Sequence, residues 1–156
     1  MSNDNSVAKI WVDADAVPKA VREIICKAAV RKQMQCTFVA NHPIPLTPSP
    51  FLKLTLVQSG FDVADDFIAQ QAQAIDLVIT QDIPLAAEVL AKGASAINTR
   101  GEPYNPETIR QKLNMRDFLD TLRSSGIQSG GAAAFSDKDK MNFANALDRW
   151  LARQQV

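Results

Sequence analysis

Residues Ile10-Trp11-Val12-Asp13-Ala14-Asp15 form an apolar run that stops on two carboxylates one residue apart. Two carboxylates this close repel each other and resist joint ionisation unless a cation or a proton lies between them. The pair points either to a hard metal ion or to a nucleophile and an acid acting on phosphate. A second apolar run, Leu77-Val78-Ile79-Thr80, is followed by Asp82, and three more acids, Asp62, Asp65 and Asp66, cluster after Gly60. A carboxylate set without imidazole or thiolate suits Mg²⁺ or Mn²⁺, which prefer oxygen ligands. Other chemistries lack their parts. There is no Cys-x-x-Cys or His-x-x-x-His pair, one histidine (His42) in a proline-rich run, and no glycine-rich phosphate loop ending in lysine.

Strand-like and helix-like patterns alternate along the chain, which argues for an α/β fold with a mainly parallel sheet. The first strand covers about 7–12, and Pro18 suits the first turn of a helix whose apolar side carries Val21, Ile25 and Ala28. A second strand over 36–40 leads into a stretch with prolines at 43, 45, 48 and 50, which excludes helix and favours a stiff extended loop. Strands over 54–57, 77–80 and 95–98 follow, with helices over 63–73 and 84–92 between them; Gly93 is a stop signal for the latter. Pro106 opens a further helix capped by Asn105, and 124–134 reads as a loop rich in Ser, Gly and Ala. Ser136 with Asp139 resembles a cap for a last helix, whose stripe is Phe143, Ala144, Leu147, Trp150 and Leu151. One domain spans 1–156, with 125–156 a linker and a helix packed on the same core.

In a parallel sheet every strand ends on the same edge, and ligands bind at that edge where strand order reverses. Asp13, Asp15, Asp62, Asp65, Asp66 and Asp82 all belong there. Asp13 and Asp82 are the strongest candidates because they directly end core strands. Asp65 borders the apolar side of its helix and is the better ligand of its group. Asp62 and Asp66 are secondary, and Asp62, Asp65 and Asp15 could instead cap helices. Asp76 begins the fourth strand, lies at the opposite edge, and reads as structural. Thr80 could bind metal or phosphate through its hydroxyl, or simply be a β-branched strand residue. Arg100, after the fifth strand, could clamp a phosphate with two hydrogen bonds.

The chain has 156 residues, 46% of them apolar, enough for one sizeable core. No run approaches a membrane span, the start is polar with no secretory pattern, and Cys26 and Cys36 read as small buried hydrophobes, so the cytoplasm is expected. Seventeen basic and seventeen acidic residues cancel. Broad coating of nucleic acid needs a basic excess that is missing here, whereas an enzyme needs only a local cationic patch and brief contact.

As a whole the pattern resembles the PIN-like nuclease superfamily, in which a first-strand aspartate, an acid on a middle helix and a Thr-x-Asp after the fourth strand form a metal site. Here these correspond to Asp13, Asp65 and Thr80-Gln81-Asp82. More narrowly, the chain is similar to the YaiI/YqxD family of uncharacterised bacterial proteins, through Trp11-Val12-Asp13-Ala14-Asp15-Ala16, Gly60-Phe61-Asp62-Val63-Ala64-Asp65, Asp82-Ile83-Pro84-Leu85-Ala86, Arg100-Gly101-Glu102 and Met115-Arg116-Asp117-Phe118. It departs from that family at Val17, where cysteine is usual, and at Asp66, where asparagine is common. The resemblance implies a three-layer α/β/α fold with a five-stranded, mainly parallel sheet in the order 3-2-1-4-5. It also implies catalysis by Asp13, Asp65 and Asp82, a Mg²⁺ or Mn²⁺ site with Asp15 added, and transient contact with nucleic acid, RNA before DNA. Two rivals remain: a haloacid-dehalogenase-like phosphatase with Asp13 as nucleophile, which lacks a later acidic strand end, and an inactive module that binds RNA or protein.

Overall fold

The computed structural model describes residues 7–59, 63–107, 109 and 136–154. Strands β1 (Ile10–Asp13), β2 (Cys36–Ala40), β3 (Leu52–Leu56), β4 (Leu77–Ile79) and β5 (Ser95–Ile97) form a sheet in the order β3-β2-β1-β4-β5. All four pairings are parallel. Helices α1 (Lys19–Lys32), α2 (Val63–Gln71), α3 (Ile83–Ala91) and α4 (Asp137–Arg153) cover it. Order and layering are those expected from the sequence.

Side chains alternate across a strand, so β1 feeds both layers. Ile10 and Val12 join a core with α1 and α4, including Val21, Ile25, Phe143 and Leu147. Trp11 joins the opposite core with α2 and α3, including Ile68, Leu85 and Val89, and its ring meets Phe67 edge-on at 6.3 Å. The last helix packs against the same core as α1, and its expected capping box, Ser136 with Asp139, is formed.

Parallel neighbours need a crossover of a dozen or so residues, usually a helix. Between β2 and β3 the extended proline run does this work. Its Ile44 and Leu46 pack on the α1 side of the core while the prolines at 43, 45, 48 and 50 stay largely outside.

Several element ends differ from the sequence reading, each for a local reason. β1 starts at Ile10 rather than near Val7, because the Lys9 N–H donates to the Asp76 carboxylate and not to a strand. Asp13 consequently lies inside the strand. α2 stops at Gln71, because the Gln73 N–H is taken by the same carboxylate. β3 begins two residues early, where Leu52 pairs with Cys36 directly after the loop. Pro18 occupies the N-cap of α1 in extended conformation, so Asp15 does not cap that helix. Residues 106, 107 and 109 are helical and Ile109 is buried. The rest of that expected helix and the 124–134 loop lie outside the described residues.

Asp76, as expected, sits at the edge opposite the strand ends that carry Asp13. It is 1% exposed and accepts the Trp11 indole N–H at 2.9 Å, the Lys9 N–H at 2.9 Å and the Gln73 N–H at 2.8 Å. One carboxylate thereby ties β1, the end of α2 and the start of β4. Removing it leaves a buried indole N–H without an acceptor, a cost that adds to the lost charged hydrogen bonds. We expect Asp76→Ala to lower unfolding stability by about 3 kcal/mol, measured by urea denaturation followed through tryptophan fluorescence. Asp76→Asn should recover little of the loss, since its amide places a donor against donors.

Candidate functional site

Alternation along β1 sends Asp13 to the same face as Trp11, toward α2 and α3. There it is 7% exposed. The Thr80 hydroxyl donates to Asp13 Oδ2 at 2.9 Å and accepts the Asp82 N–H at 2.9 Å. Thr80, expected to face metal or substrate, therefore gives its proton to Asp13 and is itself fully buried. Its carbonyl accepts the Tyr104 hydroxyl at 3.2 Å. Asp82 Oδ1 accepts the Leu85 N–H at 2.8 Å, which makes Asp82 the N-cap of α3.

Asp65, in the first turn of α2, has its side chain within hydrogen-bonding reach of the Asp13 carboxyl. Asp15 lies in a 3-10 turn, Ala14–Ala16, directly after β1. Its Oδ2 accepts the Asn41 N–H at 3.1 Å, and its Oδ1 is 3.0 Å from His42 Nδ1. Asp66 is exposed on the same helical turn as Asp65, and Asp62 lies outside the described residues. Arg100 is half-buried in the turn after β5, where its N–H donates to Asn98 Oδ1. At the start of α4 the Ser136 N–H holds the Asp139 pKa below the usual carboxylate value, and the Arg100 charge adds to this. Gly101 has φ +84°, and a Cβ there would meet the Asn142 carbonyl oxygen at 2.4 Å, so that turn lies hard against α4.

Burial raises the Asp13 pKa above the ordinary 3.8, and the negative charges of Asp82 and Asp15 push the same way. The hydrogen bonds from Thr80 and Asp65 oppose this in part. Burial likewise raises Tyr104 to about 12, helped by Glu102 and Asp82, so its hydroxyl stays a donor.

Asp13, Asp15 and Asp65 share the wall of a cleft of about 180 Å³ with Asn41 and Gln58; Asp82 is not on that wall. A larger cleft of about 570 Å³ opens at the other edge beside Trp11 and Asp76, where the carboxylate is already satisfied. Among the described residues, no three acidic, histidine or cysteine side chains stand close enough together to hold one metal ion. The site is thus a convergence of carboxylates on Asp13 rather than a closed ligand shell.

Residues 11–153 match the family described as "Uncharacterized BCR, YaiI/YqxD family". The chain belongs to that family. It is 59% identical over 146 residues to a UPF0178 protein of Halorhodospira halophila, covering 94% of this chain and 97% of the relative. To a UPF0178 protein of Shewanella amazonensis it is 57% identical over 145 residues, covering 93% and 97%. No solved structure matches it. Among the described residues of this YaiI/YqxD family member, no helix is long and apolar enough to cross a membrane.

Three contributors escaped the sequence reading. His42, in the proline-rich run, pairs with Asp15. Tyr104, the single tyrosine, ties the 103–105 stretch to the carbonyl of Thr80. Asn98 accepts the N–H groups of Arg100 and Glu102 and donates to the Glu102 carboxylate at 2.7 Å, which shapes the turn after β5. An Asn before a Gly-containing turn is a signal that could have been used.

The raised pKa of Asp13 has a thermodynamic sign. Unfolded, Asp13 titrates near 3.8; folded, it titrates higher, so the folded chain holds the proton longer. Stability then falls as pH rises from 3.8 through the folded value, and the full cost of the buried charge is present above it. Asp13→Asn removes that cost while its amide oxygen still accepts the Thr80 hydroxyl. In chelator and near neutral pH, the Asn variant should melt at a higher temperature than the wild-type chain. The margin should shrink toward zero as pH is lowered past 3.8, read by thermal denaturation across pH.

Proposed function

We propose that the protein is a metal-dependent phosphodiesterase of the PIN-like kind, cleaving RNA at the strand-end edge that carries Asp13. The observation that supports it is that the Asp13 carboxyl, buried at the end of the central strand, has Asp65 and Asp82 acting on it from two other places in the chain and Asp15 from the turn beside it. A protein that gathers negative charge around a buried acid loses stability by doing so, and such a loss is retained where function uses it. The donor set is all oxygen, which fits Mg²⁺ or Mn²⁺. Asp13, Asp15 and Asp65 on the cleft wall, with Asp82 close enough to act on Asp13, are the residues that would have to draw together to hold the ion.

Bound there, the ion would supply an activated water and neutralise charge on the phosphate. The chain's own contribution is positioning. Thr80 fixes one oxygen of Asp13, and Tyr104 steadies the backbone of Thr80. Asn41 and His42 hold Asp15 at the mouth of the cleft. The Asp65 side chain reaches the Asp13 carboxyl, and two carboxyls that close need a proton or a cation between them. The rival phosphatase reading needs Asp15 free to protonate a leaving group, whereas both its oxygens are engaged by the loop.

A second reading is an inactive RNA-binding module, favoured by the lack of a three-ligand cluster among the described residues. Titration with Mn²⁺ in a calorimeter separates the two. The enzyme reading expects binding that Asp13→Asn abolishes, and at about a hundredfold excess over Kd a gain of about 2.7 kcal/mol in wild-type stability. Mn²⁺-dependent cleavage of single-stranded RNA should then be lost in Asp82→Asn, whose side chain still caps α3. Absence of Mn²⁺ binding, or binding indifferent to Asp13→Asn, sinks the enzyme reading.

A further inference from the structure

A groove of about 520 Å³ runs between α1 and the proline crossover, away from the acidic cleft. Lys19, Arg22, Glu23 and Lys27 form its helix wall, and Pro45 and Thr47 face them from the loop. Spacings of three, four and eight place these helix residues on one stripe. The chain as a whole is neutral, yet α1 carries five basic residues (Lys19, Arg22, Lys27, Arg31, Lys32) and one acid, Glu23. Arg31 is paired with Asp148 of α4. Among the described residues, Lys19, Arg22 and Lys27 are in no ion pair, so their charge is available to the groove.

Both walls of the groove continue along the chain into the segments that carry the candidate site. The loop of Pro45 and Thr47 starts at Asn41 and His42, the two residues that hold Asp15. The helix wall begins at Lys19, directly after the turn that carries Asp15. From Lys19 to Lys27 the helix advances about 12 Å, a length that a short run of single-strand phosphates can follow.

We propose that this groove holds the sugar–phosphate backbone of single-stranded RNA, with Lys19, Arg22 and Lys27 on the phosphates, and delivers the strand to the carboxylate cleft. The substrate class rests on the phosphodiesterase reading above; the contacts are different residues. A trough between one helix and one loop admits a strand rather than a duplex. Glu23, an acid among the three cations, repels phosphate but accepts a hydrogen bond from a ribose 2′-hydroxyl, the group that separates RNA from DNA. Net neutrality and a nucleic-acid substrate are compatible because the positive charge is concentrated on this flank.

The test uses the full chain in EDTA and a fluorescein-labelled single-stranded RNA of about twelve nucleotides, longer than the groove, read by fluorescence anisotropy. Three phosphate contacts predict a slope of about −2 for log K against log[salt], or on the order of tenfold weaker binding between 50 and 200 mM salt. Replacing Lys19, Arg22 and Lys27 together by Ala should flatten that slope and weaken binding on the order of tenfold at low salt. These side chains are exposed or half-buried, and a melting temperature close to that of the wild type reports that the fold is intact. Because binding is read in EDTA, without a metal ion, failure of the metal reading stays distinct from failure of the groove. Wild type should prefer RNA to DNA of the same sequence, and Glu23→Ala should erase the preference. No RNA binding, binding unchanged by the triple substitution, or equal binding of DNA by the wild type would each overturn the proposal.

Discussion

The central strand of a parallel sheet covered on both faces has no solvent side, so each residue of β1 must enter one helical layer or the other. Ile10 and Val12 take the layer of α1 and α4; Trp11 and Asp13 take the layer of α2 and α3. Two polar groups are thereby forced inside, an indole N–H near one end of the β1–β4 seam and a carboxylate at the other. Each is answered across that seam. The Trp11 N–H finds Asp76 just before β4, and Asp13 finds the Thr80 hydroxyl just after it.

The two ends of the seam use the same side chain to opposite effect. Asp76 accepts three N–H groups, so its buried charge is compensated and knits three elements together. Asp13 receives fewer donors and has Asp82 and Asp15 nearby, so its charge remains a liability in the folded chain. One edge of the sheet stabilises the fold, and the other carries an acid whose burial works against it. The separation keeps that cost at the Asp13 end without loosening the seam at Asp76.

Much of this was legible in the chain. The order of strands and helices followed from alternating patterns, and Asp13 and Asp82 were found because each follows a short apolar run. Element ends were less legible where a side chain captured a backbone donor, as Asp76 does at Lys9 and Gln73, since no periodicity encodes that theft. Asp-Ile-Pro-Leu is a helix-start signature, so the capping role of Asp82 was available from residue types alone. Thr80 was not, because a hydroxyl on a strand end reads alike whether it faces a ligand or braces a neighbouring acid. The Asp15–His42 pair needed β1 and β2 side by side before residues 27 apart in the chain could meet.

The crossover between β2 and β3 has a consequence for anything that docks beside α1. Prolines at 43, 45, 48 and 50 fix four φ angles and remove four amide donors, so this wall has little freedom left to lose. Its Ile44 and Leu46 are anchored in the core, which pins the wall at two points. A flexible loop would have to be ordered by its ligand, at the expense of affinity. This one is preorganised: the entropy of shaping the trough is lost once, during folding, and need not be lost again at each encounter.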